Sequence, residues 1–180
     1  MPHNLLKKYP DHLELIGSLY NMKLSLRRVY DRDIENNPDF KFRGIQIHPL
    51  KSEEGQLDMD RTFIHLTTKE TPVYDDNGVK LTEKRRTFDP KRSVRLHWIN
   101  HHVHEVTPDN LEIFTVVERD MKKRMNVRHT YIYDKVEKYV IIFDRRPQKD
   151  FYLLTAYYLD EVYAEKALKK KMKKKEEAIL

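Results

Sequence analysis

"VRHTYIYDKVEKYVIIFDRRPQKDFYLLTAYYL", residues 127–159, holds three runs of β-branched and aromatic residues, at 127–134, 137–144 and 151–159. The first two are joined by Lys135 and Val136 alone, and the last two by Arg145 to Asp150. A two-residue link reaches only an antiparallel neighbour, because a parallel crossover needs a dozen residues or more. "LEIFTVVE" at 111–118 reads as a fourth strand of the same kind. These runs predict a four-stranded antiparallel sheet, and the helical patterns around them make the chain α+β, with helices packed against that sheet.

Upstream, Leu15, Leu19, Met22, Leu26 and Val29 recur in steps of three and four, and Asn36-Asn37-Pro38 closes that helix. Short alternations at 40–47 and 62–67 predict two strands, and Asp75-Asp76-Asn77-Gly78 marks a turn before "VKLTEKRRTF". Asp89-Pro90 opens a helix predicted to run to about Val106. The chain thus divides into a helical and short-strand region at 1–80, a sheet-bearing region at 81–160 and a lysine-rich helix or tail at 161–180. That tail carries seven lysines between 166 and 175. Either a solvated terminus or an arm for a phosphate backbone fits that composition.

The 180 residues contain no cysteine and carry a formal charge of +6. Disulfide scaffolds and thiol nucleophiles are thereby excluded, and the surplus charge favours polyanions as partners. Four glycines with no phosphate-loop motif argue against nucleotide-loop enzymes, and no cofactor is expected. The start lacks a secretion signal and no run is long enough for a membrane span, so a cytoplasmic protein without a membrane partner is expected.

On a continuous helix from Pro90, Leu96, Ile99, Val103 and Val106 share one face, while His97, His101 and His104 share nearly the opposite one. Three ligands from one straight helix would have to converge across nearly two turns, and no HExxH is present, so no metal site is expected. Two readings stay open for these imidazoles: a solvated face, or one or two proton-transfer groups meeting a substrate. "KRRTFDPKRSVR" at 84–95 has six cations and "KKRMNVR" at 122–128 has four, a supply suited to phosphates if folding brings them together. Period two puts Phe151, Leu153, Thr155 and Tyr157 on one face of the last strand.

"RSVRLHWINHHVHE", "EIFTVVERD", "RHTYIYDKVEKYVIIF" and "FYLLTAYYL", in that order, resemble the phage-associated branch of the barnase–EndoU–colicin–RelE superfamily of small RNases. The resemblance spans roughly residues 85–160. It implies a metal-independent toxin or effector nuclease acting on RNA, and leaves room for a protein inhibitor as a second partner. Arg95, His97 and His101 would supply the helix groups, Arg128 the second-strand cation, and Thr155 and Tyr157 the last-strand hydroxyls. In that scheme a 2′-OH attacks the adjacent phosphorus, with His97 or His101 as base or acid and arginines offsetting the added charge. A non-catalytic nucleic-acid-binding protein and a structural protein of a phage-like element are the alternatives. Clustering of His97, Arg128 and Thr155 in one cleft would favour the enzyme.

Overall fold

The computed structural model describes residues 3–49, 58–121, 124–145 and 150–176. Helix α1 (Leu19–Tyr30) is capped by Ser18, whose hydroxyl accepts from the Asn21 amide, and it buries Leu26, Val29 and Tyr30. Two short strands come next, β1 (Lys41–Phe42) and β2 (Ile45–His48). Then come α2 (Met59–Thr67), β3 (Thr68–Tyr74) and β4 (Lys80–Phe88). Two short helices, α3 (Pro90–Ser93) and α4 (Trp98–Val103), lead to β5 (Leu111–Asp120), β6 (Met125–Asp134), β7 (Tyr139–Arg145) and β8 (Phe151–Tyr158). Helix α5 (Val162–Met172) closes the described chain.

The expected four-stranded sheet is corrected by the topology. The main sheet has six strands in the order β1-β2-β8-β7-β6-β5, and β3 and β4 form a separate two-stranded ribbon. β5 to β8 are an antiparallel meander, but β2 joins the free edge of β8 in parallel, with Ile47 opposite Phe151 and His48 opposite Tyr152. The alternation at 40–47 signals strand, yet nothing local says which edge it will cover. Packing decides it: Phe42 is fully buried, stacked on Phe143 and edge-on to Phe151.

Two further expectations change. Residues 62–67 are helix, not strand: Asp58 caps the Arg61 amide at 2.8 Å, and Thr62 and Leu66 bury one face at helical spacing. The helix expected from Pro90 to Val106 is broken. Arg95, Leu96 and Trp98 donate their amides to the carbonyls of Arg92, Ser93 and Arg95, three residues back, and this tighter winding rotates α4 relative to α3. His97 is therefore turned inward.

The ribbon turns at Asp75, whose carboxylate accepts from the Asn77 and Val79 amides at 2.9 and 2.8 Å, with Gly78 at φ +76°.

Each face of the sheet has its own apolar cluster. On one, Ile132, Ile141, Phe143, Phe151, Leu153 and Ala156 meet α1, α4 and the N-terminal segment through Leu26, Trp98, Ile99 and Leu13. Side chains from residues 1–80 and from 111–158 thus share one core. On the other, Phe114, Tyr131, Tyr133, Val140 and Ile142 meet α5 through Leu168.

A bulge alters the faces of β8. Ile142 lies opposite Thr155 while its neighbour Phe143 lies opposite Leu153, which leaves Leu154 unmatched. Leu154 and Tyr157 consequently pack on the α5 face, apart from Phe151 and Leu153. Among the described residues no helix is long and apolar enough to cross a membrane.

Candidate functional site

Beyond Tyr152, the outer edge of β8 is met by α2 and α3 instead of another strand. The junction of α2, the ribbon and α3 is tied there by its backbone. The Asp89 amide donates to the Thr67 carbonyl at 2.9 Å, and the buried Ser93 hydroxyl donates to the same carbonyl at 3.3 Å. Asp89 also caps α3 through the Arg92 amide.

These ties aim Arg92 across the edge of β8. Its Nη1 donates to the carbonyls of His65 and Thr68 at 3.1 and 3.2 Å and to Thr155 Oγ1 at 3.3 Å. The guanidinium carbon stands 5.5 Å from the centre of the Tyr157 ring, and Asp89 pairs with Nε at 3.5 Å. A second guanidinium converges on the same place. Arg86 donates Nε to Thr68 Oγ1 at 2.9 Å and Nη2 to the Thr68 carbonyl at 3.4 Å. Each guanidinium also has a carboxylate beside it, Glu70 at 3.4 Å from Arg86 and Asp89 from Arg92, so the anion the pair would attract competes with these partners.

The His65 imidazole lies within electrostatic reach of these guanidiniums. Burial lowers its pKa below the ordinary value, and the charges of Arg86, Arg61 and Arg92 push the same way. It is neutral at pH 7 and able to accept a proton. Burial raises the Tyr157 phenol, opposed by Arg92 and reinforced by Glu118, so it stays a donor. A cleft of about 210 Å³ opens beside Arg92 and Tyr157, lined also by Lys69, Lys91 and Tyr158 and by the carboxylates Asp89, Asp160 and Glu161, with Lys91 paired to Asp160 at 2.7 Å.

The six residues expected from sequence are distributed unevenly. Thr155 and Tyr157 lie together at Arg92. Arg95 is buried apart from them, with its guanidinium 4.3 Å from the Tyr158 ring centre and 5.2 Å from that of Trp98 in the helical layer.

His97 and His101 belong to the helical layer. His97 is 5 % exposed, edge-on to Trp98, with neither ring nitrogen at hydrogen-bonding geometry, and burial pushes it down to about 4. His101 stacks on Tyr9 at 4.2 Å and meets Thr107 Oγ1 at 3.2 Å. Arg128 projects from β6 and pairs with Glu176 at 3.2 Å. His97, Arg128 and Thr155 do not share a cleft. Lys122 and Lys123, two of the four cations at 122–128, lie outside the described residues.

Arg92, Arg86 and His65 were not singled out from sequence. Arg92 and Arg86 sit inside the basic run at 84–95, but their convergence depends on the α2–ribbon junction, which the strand reading of 62–67 hid.

A second polar group occupies the α5 face at the other edge of the sheet. Glu118 Oε2 accepts from His129 Nδ1 at 2.8 Å and from the Tyr131 hydroxyl at 2.7 Å. Lys171 reaches from α5 to Glu118 Oε1 at 2.7 Å and to the Tyr131 oxygen at 3.0 Å. The hydrogen bond from His129, aided by those from Lys171 and Tyr131, holds the Glu118 carboxyl down to about 2 against the opposing effect of burial.

A third set is interior. Asp134, fully buried, accepts from the Tyr9 hydroxyl at 2.7 Å and from the Val136 and Glu137 amides, with His102 Nε2 3.3 Å away but outside hydrogen-bond geometry. Its role is to hold the β6–β7 turn against the helical layer. Among the described residues no three His, Asp or Glu side chains are grouped to hold a metal ion. No family model, curated protein or solved structure matches the chain.

Proposed function

We propose that the chain is a metal-independent endoribonuclease, a cytoplasmic toxin or effector of a phage-like element, with its reaction centre at the edge of β8 beside α2 and α3. One observation carries this reading: Arg92 is held between the Thr155 hydroxyl and the Tyr157 ring, while Arg86 converges on the same carbonyl of Thr68. The arrangement brings two guanidiniums to the carbonyl of Thr68, with the Thr155 hydroxyl and the Tyr157 ring at Arg92 and the neutral His65 within their electrostatic reach. A phosphodiester seated there meets Arg92 and Arg86 at its nonbridging oxygens, where charge grows as the 2′-OH adds to phosphorus. His65 takes the 2′-OH proton. The leaving 5′ oxygen takes its proton from Tyr157 or from water. The products are a 2′,3′-cyclic phosphate and a 5′-OH, so the 2′-OH restricts the substrate to RNA.

The test is incubation of the purified chain with single-stranded RNA in EDTA, and then analysis of the new ends. Fragments ending in 2′,3′-cyclic phosphate, and resistance of an RNA with 2′-deoxy nucleotides, are expected. Intact RNA across a panel of sequences would reject the enzyme. The second reading, a non-catalytic nucleic-acid-binding protein, would then stand, because the lysines of α5 need no chemistry to hold a polyanion.

A further inference from the structure

Helix α5 crosses the sheet from β8 to β5. Its first turn, through Tyr163 and Ala164, borders the cleft at Arg92, and its last turns border a larger groove of about 470 Å³ against β5. Arg119, Lys170, Lys171 and Lys174 line that groove with Glu118, over a floor that includes the half-exposed Val117. We propose that this groove is a second binding site, one that holds the phosphate backbone of single-stranded RNA beyond the scissile bond. The proposal rests on the ribonuclease reading for its substrate and goes beyond it by giving that substrate a path.

The charges of the lining are unequal in availability. Lys171 is committed to Glu118 and Tyr131. That commitment neutralises the one carboxylate in the groove, so it does not repel an anion. Arg119, Lys170 and Lys174 are exposed and have no carboxylate partner among the described residues. Lys170 stands in the last turn of α5 and Lys174 in the turn just beyond its end at Met172, and both line the groove. Ala164 lines the first opening and Ala167 the second, so along α5 the two begin only about 4.5 Å apart. An acidic peptide could also answer positive charge. RNA is the occupant chosen here because one helix borders both this groove and the cleft at Arg92.

The experiment measures binding of a fluorescein-labelled 2′-O-methyl oligoribonucleotide, which cannot be cleaved by 2′-OH attack, by anisotropy from low to moderate salt. The full chain is compared with a triple variant, Arg119→Gln, Lys170→Gln and Lys174→Gln, and with a control, Lys8→Gln, Lys23→Gln and Lys41→Gln, that removes the same charge from other exposed sites. Loss of three phosphate contacts lowers the slope of log affinity against log salt by about 2 for a single strand. That fall, with at least a tenfold loss of affinity at moderate salt and little change in the control, is expected. An unchanged slope in the groove variant, an equal fall in both variants, or equal displacement by poly-glutamate of matched charge would overturn the proposal. Failure of the enzyme reading looks different: the parent chain would bind through the groove and cleave nothing.

Discussion

Acid should destabilise this fold through its inward-facing histidines, and His97 allows the size of the effect to be worked out. Burial sets its pKa at about 4, with Arg32 and His12 lowering it further and the backbone at Lys8 and Asp11 opposing. In the unfolded chain the same ring titrates near 6.5. Between these values the unfolded state binds the extra proton, so the stability is fully present above about pH 6.5 and is lost as pH falls toward 4. The gap of about two and a half units, at roughly 1.4 kcal/mol each, corresponds to about 3 kcal/mol, of which about 2.5 is lost by pH 4.5. His102 is lowered by burial in the same direction, with Asp134 opposing and His101 assisting.

The perturbation is His97→Leu. The carbonyls of Lys8 and Asp11 that face the ring keep the Asp11 amide and the Trp98 indole as donors, and the side chains have similar volume, so stability at pH 7.5 should change by less than about 1.5 kcal/mol. Urea unfolding, monitored by circular dichroism at pH 7.5 and 4.5, measures the rest. The variant should lose about 2.5 kcal/mol less than the parent between the two conditions. Equal losses in both proteins would refute the reasoning, and would mean that His97 is solvated or already charged in the folded state.

Phe143→Ala should cost about 3–5 kcal/mol in urea unfolding, because the ring is fully buried among Phe42 and Phe151; a loss under 1 kcal/mol would contradict that packing. Arg128→Ala should change stability by less than about 1 kcal/mol, since its one pair, with Glu176, is exposed, and a melting temperature lowered by many degrees would assign it a structural role. Gly78→Ala should cost about 1 kcal/mol through backbone strain alone, since nothing lies within 4 Å of the added methyl, and unchanged stability would argue against the φ of +76°.

The meander was legible because period-two runs with short links leave few other arrangements: "KYVIIF" and "FYLLTAYYL" can hardly be anything but neighbouring strands. Its edges were not. Ile45 and Ile47 announce a strand, but Phe151, which lies opposite Ile47, is more than a hundred residues away, and no local pattern encodes that pairing. The bulge at Leu154 was equally silent, since a strand with apolar residues on both faces gives no contrast by which a one-residue slip would show. The imidazoles misled for a related reason. An unbroken helical wheel sends His97 to solvent, whereas the tighter turn at Arg95–Trp98 sends it under Trp98.

At the site, Thr155 and Tyr157 were found by residue type and element, while Arg128 and His97 were placed by the same logic on elements that do not converge. Arg92 is one of six cations in the run at 84–95, with nothing local to distinguish it. Its position is set by the capping carboxylate of Asp89 and by the carbonyls that end α2, and both belong to tertiary structure.

The most direct test of the central claim is the single-turnover rate of RNA cleavage in EDTA, with Tyr157→Phe and Arg92→Lys compared with the parent and with Arg128→Ala. The Tyr157 hydroxyl has no hydrogen-bond partner among the described residues, so its removal leaves the fold intact and isolates its part in the reaction. Arg92→Lys keeps the charge but loses the planar fork that reaches Thr155 and that the proposed reaction uses on the phosphate. Both variants should slow cleavage, Arg92→Lys by about a hundredfold or more, while Arg128→Ala stays close to the parent. Parent-like rates in Arg92→Lys and Tyr157→Phe, with the loss appearing in Arg128→Ala, would place the chemistry elsewhere and contradict the account.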